Sequence, residues 1–258
     1  LGKKLGFKKK EDWYTLLHDD FENAGLISGT FIGIDEETPI MLRSFKNGSL
    51  IKVAQCVSGV DGTFSITPEK PLRQGYHQLI IDKRWPIVLI TDSTEAPIVS
   101  ASVPDGKGYI INSTITGSAS SELLATYYGE LMPKQDSLLL IQNSIRTLSS
   151  EEKTVATKIL NRLIIELENL SLEFIKSNAE SPATLAALEN LSPEKHAVAY
   201  KSVLKSLSKT YADSHYYTML KTKYEKSISQ RKIPNQPPPK KKTSGKNSTY
   251  AAGDVAPD

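Results

Sequence analysis

The side chains able to do covalent or metal chemistry are few and scattered. Four histidines stand at positions 18, 77, 196 and 215. No two of them share the short spacing that aims a pair of imidazoles at one metal ion. Each therefore reads as a surface or half-buried ring, and His18, beside Asp19 and Asp20, as part of a solvated helix face. Cys56 is the single cysteine, which rules out an internal disulfide and a multi-cysteine zinc site. It lies in the apolar run Ile51–Val57, so a buried thiol within a strand is the expectation. No His or Asp pattern accompanies it to make a nucleophile. Asp92, Glu95 and Asp105 have the oxygen chemistry of a calcium site between strands. Their order matches no calcium loop, and solvated loops are the reading, as for the Asp35–Glu37 turn. Walker A, dinucleotide, HExxH and Gly-x-Ser-x-Gly motifs are absent from the sequence. The chain is thus expected to be non-enzymatic, with no catalytic residue, metal ligand or cofactor assigned.

Charge is the second resource. The overall formal charge is +3, yet residues 1–10 carry five lysines and no acid, and residues 201–258 carry twelve basic and four acidic groups. Taking +5 and +8 from +3 leaves −10 for residues 11–200. The middle is acidic and both ends are basic, which suits anionic partners such as nucleic acid, a membrane surface or an acidic protein. Lysine-rich ends that only keep termini soluble are an equal alternative. The candidate binding residues are Lys8, Lys9, Lys10, Arg231, Lys232, Lys240, Lys241 and Lys242.

Tyr200, Tyr211, Tyr216, Tyr217 and Tyr224 alternate with lysines along the last helical stretch. Aromatics between lysines can stack bases and neutralise phosphates. Leu204, Leu207 and Leu220 share the tyrosine face, so the favoured reading is a bundle helix with Tyr inward and Lys outward. Asn-x-Ser/Thr triplets begin at Asn47, Asn112, Asn169, Asn190 and Asn247. They are glycosylation acceptors only in a eukaryotic secretory setting. No apolar run approaches the roughly 18 residues that span a bilayer.

The elements that must carry these groups change character near residue 118. From Leu26 onward, short strands alternate with turn residues: 28–34, 39–43, 50–57, 63–67, 76–81, 86–91, 98–103 and 108–114. Asp61-Gly62 is the sharpest turn signal, since Gly accepts positive φ, and Phe64 and Ile66 then alternate with Thr63, Ser65 and Thr67. Many short strands at this spacing predict a β-sandwich or small barrel. Gly29-Thr-Phe, Thr38-Pro-Ile-Met-Leu-Arg, Asn47-Gly-Ser-Leu-Ile-Lys, Gly62-Thr-Phe-Ser-Ile-Thr and Gly75-Tyr-His-Gln-Leu-Ile-Ile resemble the carboxypeptidase-regulatory-like, or prealbumin-like, β-sandwich module. Bacterial Ig-like repeats share much of the pattern. The resemblance covers residues 26–91. It implies a sandwich that serves as spacer or binding domain in cell-envelope proteins, and it brings no functional residues with it.

Helical patterns dominate the remainder. Residues 11–24 place Trp13, Leu16, Leu17 and Phe21 at helical spacing. Residues 119–148 read as a helix broken at Pro133. Ser149-Ser-Glu-Glu152 is a capping box that opens the clearest helix. Its apolar stripe is Val155, Ile159, Leu163, Leu167, Leu170 and Phe174, widened by Leu160, Ile164, Ile165 and Leu172, and it predicts a core-facing helix of a bundle. Ser181-Pro182 and Ser192-Pro193 mark two further starts, with a kink expected at 213–215. From Ile233 the sequence is rich in Pro, Lys and Ser and has no periodicity.

The expected fold class is α+β: an antiparallel β-sandwich, then an α-helical bundle and a disordered basic Pro-rich tail. Its parts are a basic arm and short helix (1–25), the sandwich (26–118), the helical domain (119–232) and the tail (233–258). The expected role is a structural or interaction protein of a cell-surface or macromolecular assembly, virion included, binding a protein partner or a second copy through sandwich and tail. The alternative is a nucleic-acid or nucleoprotein-associated protein acting through the lysine-rich ends. The envelope or an assembled particle is the expected location. No small-molecule substrate is evident.

Overall fold

The computed structural model describes residues 25–46, 48–104, 110 and 113–231. Eight strands come first: β1 (Ile27–Ile32), β2 (Pro39–Lys46), β3 (Ser49–Val57), β4 (Thr63–Ile66), β5 (Gly75–Ile81), β6 (Trp85–Thr91), β7 (Ile98–Ser102) and β8 (Ser113–Thr116). Five helices follow: α1 (Ala119–Ser144), α2 (Ser150–Ser177), α3 (Thr184–Glu189), α4 (Ala197–Ser206) and α5 (His215–Arg231). The chain is therefore α+β. The helix expected over 11–24 and the Pro-rich tail lie outside the described residues.

The strands form two four-stranded sheets, ordered β4-β1-β7-β8 and β3-β2-β5-β6. Period-2 alternation aims Ile27 and Phe31, Ile40 and Leu42, Leu79 and Ile81, and Val99 and Ala101 into one apolar cluster shared by both sheets. Phe31 stacks on Phe64 at 4.7 Å between ring centroids within it.

Two features depart from the expectation of antiparallel hairpins. First, β1 and β7 are parallel, paired from Ser28↔Ile98 to Ile32↔Ser102. A parallel pair needs a long crossover, and the whole β2–β6 segment supplies it. Gly29 permits the close pairing, because a Cβ there would stand 1.8 Å from the Val99 carbonyl oxygen. Second, Asp61-Gly62 is a turn but not a hairpin. Gly62 has φ +69°, and the turn carries the chain from β3 in one sheet to β4 in the other, where β4 pairs with β1. The β5–β6 hairpin turns on Asp82 and Lys83, both at positive φ, closed by Arg84 N–H donating to Ile81 O at 3.0 Å. With no glycine in it, this turn carries no strong sequence signal.

The helices seat on the outer side of β5 and β6. Two serines at the start of α1 pair the backbone of Ile90 on the edge strand β6. Ser118 Oγ donates to Ile90 O at 2.7 Å, and Ile90 N donates to Ser121 Oγ at 2.8 Å. Covering an edge this way satisfies groups that would otherwise be free to pair with another strand. Tyr76 of β5 reaches into the helices, donating to Pro182 O at 2.7 Å and packing on Tyr216 at 4.2 Å. Tyr76 and Ile90 thereby belong to a second apolar cluster with Leu124, Tyr127, Leu131 and Leu188.

α1 runs unbroken through Pro133, contrary to the expected break. Pro133 is exposed, so the ring lies on the solvent side of the helix, where the hydrogen bond it forfeits costs least. The α2 capping box forms as read: Ser149 N donates to Glu152 Oε2 at 2.8 Å and Glu152 N to Ser149 Oγ at 3.4 Å. The kink expected at 213–215 is a full interruption between α4 and α5.

Candidate functional site

The predicted basic residues are not brought together within the described part of the chain. Lys8, Lys9, Lys10, Lys232, Lys240, Lys241 and Lys242 lie outside the described residues, and Arg231 is the last residue of α5. The tyrosines among the lysines are accounted for: Tyr200, Tyr211, Tyr216 and Tyr217 are buried. Tyr200 Oη donates to Leu188 O at 2.7 Å, and Tyr217 Oη to Leu204 O at 2.8 Å. Burial, then the carboxylates of Glu189 and Glu194, push the Tyr200 hydroxyl up to about 12. These rings hold helices together and offer no stacking face.

Other candidates resolve in the same direction. His77 is not a surface ring: it is 2% exposed on β5. Its Nε2 lies 3.1 Å from both Arg73 O and Thr91 O, so that nitrogen carries the proton, and Nδ1 has no partner. Burial lowers its pKa. Cys56 is half-buried on β3, and partial burial raises its thiol pKa, which disfavours the reactive thiolate. Asp92 is used locally, its Oδ1 accepting from Thr94 N at 2.7 Å. Among the described residues no group of three or more His, Cys, Asp or Glu could hold a metal ion, and no helix is long and apolar enough to cross a membrane.

Two places gather side chains in a way the sequence did not announce. One is a cavity of about 310 Å³ where β6 and β8 meet α1 and α3, walled by Ile87, Val88 and Leu131 and floored by Gln135 and Asn190. From its floor a polar chain enters the helical core. Gln135 Nε2 donates to Asn190 Oδ1 at 2.9 Å, Asn190 Nδ2 to Tyr127 Oη at 3.0 Å, and Tyr127 Oη lies 2.9 Å from Ser171 Oγ. Ser171 Oγ in turn donates to Leu167 O at 2.9 Å. Burial raises the pKa of Tyr128 at the cavity wall, with the Glu189 carboxylate adding to it. Amides and protonated hydroxyls can orient a small ligand by hydrogen bonds. Asn190, held on both sides, is a partner in this chain rather than a free glycan acceptor.

The other place is the far half of the α1/α2 hairpin. Near the sheets, Leu124, Tyr127 and Leu131 of α1 and Ser171 and Ile175 of α2 are buried against α3 and β6. Past Leu131, Gln135 still reaches Asn190 at the end of α3, and an ion pair joins the two helices. Lys134 and Arg162 both reach Glu166 there, at 3.4 Å and 3.6 Å. The expected core stripe of α2 is only half covered: Ala156 is the one buried residue of its first half. Val155 is 58% exposed, Ile165 54% and Leu140 of α1 70%, with Leu139 and Ile164 also exposed. Of the twelve large apolar side chains exposed in the described residues, five stand on this hairpin. Exposed apolar groups gathered on one projection mark an interaction surface rather than ordinary scatter.

No protein-family model matches the chain, and no curated protein matches it. Among solved structures it is similar to a 9R-lipoxygenase from Cyanothece PCC8801, with 9% identity, over 64% of this chain and 30% of that one. The TM-score is 0.23, a likeness too slight to inform fold or activity.

Proposed function

We propose that this chain is a non-enzymatic interaction protein of a cell-surface or macromolecular assembly, and that it engages a protein partner through the far half of the α1/α2 hairpin. In this reading the two sheets are the layers of a β-sandwich and act as a rigid platform. The helical bundle fixes the hairpin to that platform through Tyr76 and the Ser118/Ser121 pairing of β6. The basic ends add a second, charge-based contact. The single observation that carries the reading is the exposure of Leu139, Leu140, Val155, Ile164 and Ile165 along the far half of the hairpin, which no other described helix or strand buries. A two-helix hairpin cannot bury a wide stripe on its own, whereas a third or fourth helix laid along it can.

The test is a double substitution, Leu140→Glu with Ile165→Lys, introduced into the protein in its native source. The expected result is an unchanged melting temperature for the purified chain and loss of its co-migration with a larger assembly on size exclusion. An assembly of unchanged size would contradict the reading. So would turnover of a small molecule abolished by filling the β6–α1 cavity.

A further inference from the structure

We infer that the α4–α5 pair and the turn between them form a docking surface for a bilayer bearing anionic headgroups. α4 and α5 run antiparallel: Tyr200 stacks on Tyr224 at 5.5 Å, and Tyr217 donates to Leu204 O thirteen residues back. Their tyrosines and leucines face inward, which leaves Lys201, Lys205, Lys209, Lys221, Lys223 and Lys226 exposed. None of these six has a carboxylate within ion-pair distance among the described residues. Elsewhere some basic groups are paired, Lys134 and Arg162 with Glu166 and Lys195 with Glu168. From Lys201 to Lys226 the acids are Asp213 and Glu225 alone.

The described chain ends within this layer, at Arg231 of α5. Gly25, where the described chain begins, donates its N–H to Glu95 O at 2.9 Å. Residues 1–10, with five lysines, lie upstream of this point, and the lysine-rich C-terminal segment continues from α5.

The surface suits a bilayer better than a nucleic acid for two reasons. Single-stranded nucleic-acid surfaces combine lysines with exposed aromatics that stack bases, and here Tyr200, Tyr211, Tyr216 and Tyr217 are buried. An exposed apolar residue accompanies the lysines on each helix instead. Val198, 84% exposed, precedes Lys201 and Lys205 at i+3 and i+7, and Met219 precedes Lys223 and Lys226 at i+4 and i+7. Lysines beside a protruding apolar side chain match an interface where headgroups carry charge and acyl chains lie just beneath.

Flotation of the full chain with vesicles tests this: equal parts phosphatidylcholine and phosphatidylglycerol, against pure phosphatidylcholine. The expected result is binding to the anionic vesicles only, weakened by salt as screening shortens its reach. The Lys201→Gln, Lys205→Gln, Lys221→Gln variant is expected to lose at least about tenfold in affinity with an unchanged melting temperature. Val198→Ser is expected to weaken binding while leaving its salt dependence unchanged. Equal binding to both vesicle types, or anionic binding indifferent to the lysine substitutions, would overturn the inference. So would a polythymidine oligonucleotide that binds more tightly than the vesicles at the same salt and is lost with the same three lysines.

Discussion

The two halves of the α1/α2 hairpin have similar apolar content and opposite surroundings. In the near half Leu124, Tyr127, Leu131 and Ile175 are packed against α3 and β6, and a hydrogen-bond chain from Gln135 to Ser171 threads between them. In the far half Leu139, Leu140, Val155, Ile164 and Ile165 are exposed among the described residues. Helical periodicity records that a stripe exists. Whether it is covered depends on how far the neighbouring elements reach, and α3 and α4 are too short to follow α2 along its length: six and ten residues against twenty-eight.

The contrast is broken most forcefully by truncation. Leu188→Ala, at a site with no exposure, is expected to destabilise the fold by about 2–5 kcal/mol. Leu140→Ala in the far half is expected to change stability by no more than about 0.5 kcal/mol. Urea unfolding of both variants measures the difference, and equal losses would mean the far half is already covered. Tyr127→Phe removes the hydroxyl that joins Asn190 to Ser171, while Asn190 keeps Gln135 and Ala186 O and Ser171 keeps Leu167 O. A cost of about 0.5–1.5 kcal/mol is expected, read by the same titration. Ser149→Ala removes one arm of the capping box and is expected to cost about 1 kcal/mol. Because α2 begins in the far half, hydrogen exchange should speed up in its first turns and stay unchanged near Ser171.

The smallest effect concerns acid. His77 is neutral in the folded chain, with its pKa lowered by burial. Its contribution to stability is whole above the unfolded value of about 6.5. It declines as pH falls below that value, because the unfolded chain then takes up a proton that the folded chain resists. His77→Gln should flatten this part of the melting-temperature profile. Leu140→Glu should leave the His77 contribution in place.

Much of the fold was legible in the sequence, for local reasons. The capping box at Ser149 needs only four residues to be recognised, and β3, β4 and the start of β5 are bounded by turn chemistry at Gly48, Asp61-Gly62 and Gly75. The inward placement of Tyr200, Tyr211, Tyr216 and Tyr217 followed from the leucines that share their face. What escaped was set at a distance. The parallel β1–β7 pair depends on where a segment of more than sixty residues returns the chain. The burial of His77 depends on carbonyls of Arg73 and Thr91. Pro133 does not break α1 because its tolerance comes from solvent exposure, a property of the assembled helix. The far half of the hairpin reads as core in one dimension, and only its exposure among the described residues marks it as a surface.

The most direct measurement is photo-crosslinking in the native source, with a photoreactive residue replacing Leu140, Ile165 or, on the outer face of the β4-β1-β7-β8 sheet, Ser100. The account predicts one adduct of the same mass from positions 140 and 165 and none from position 100. No adduct from the hairpin, or the same pattern from all three positions, would contradict it.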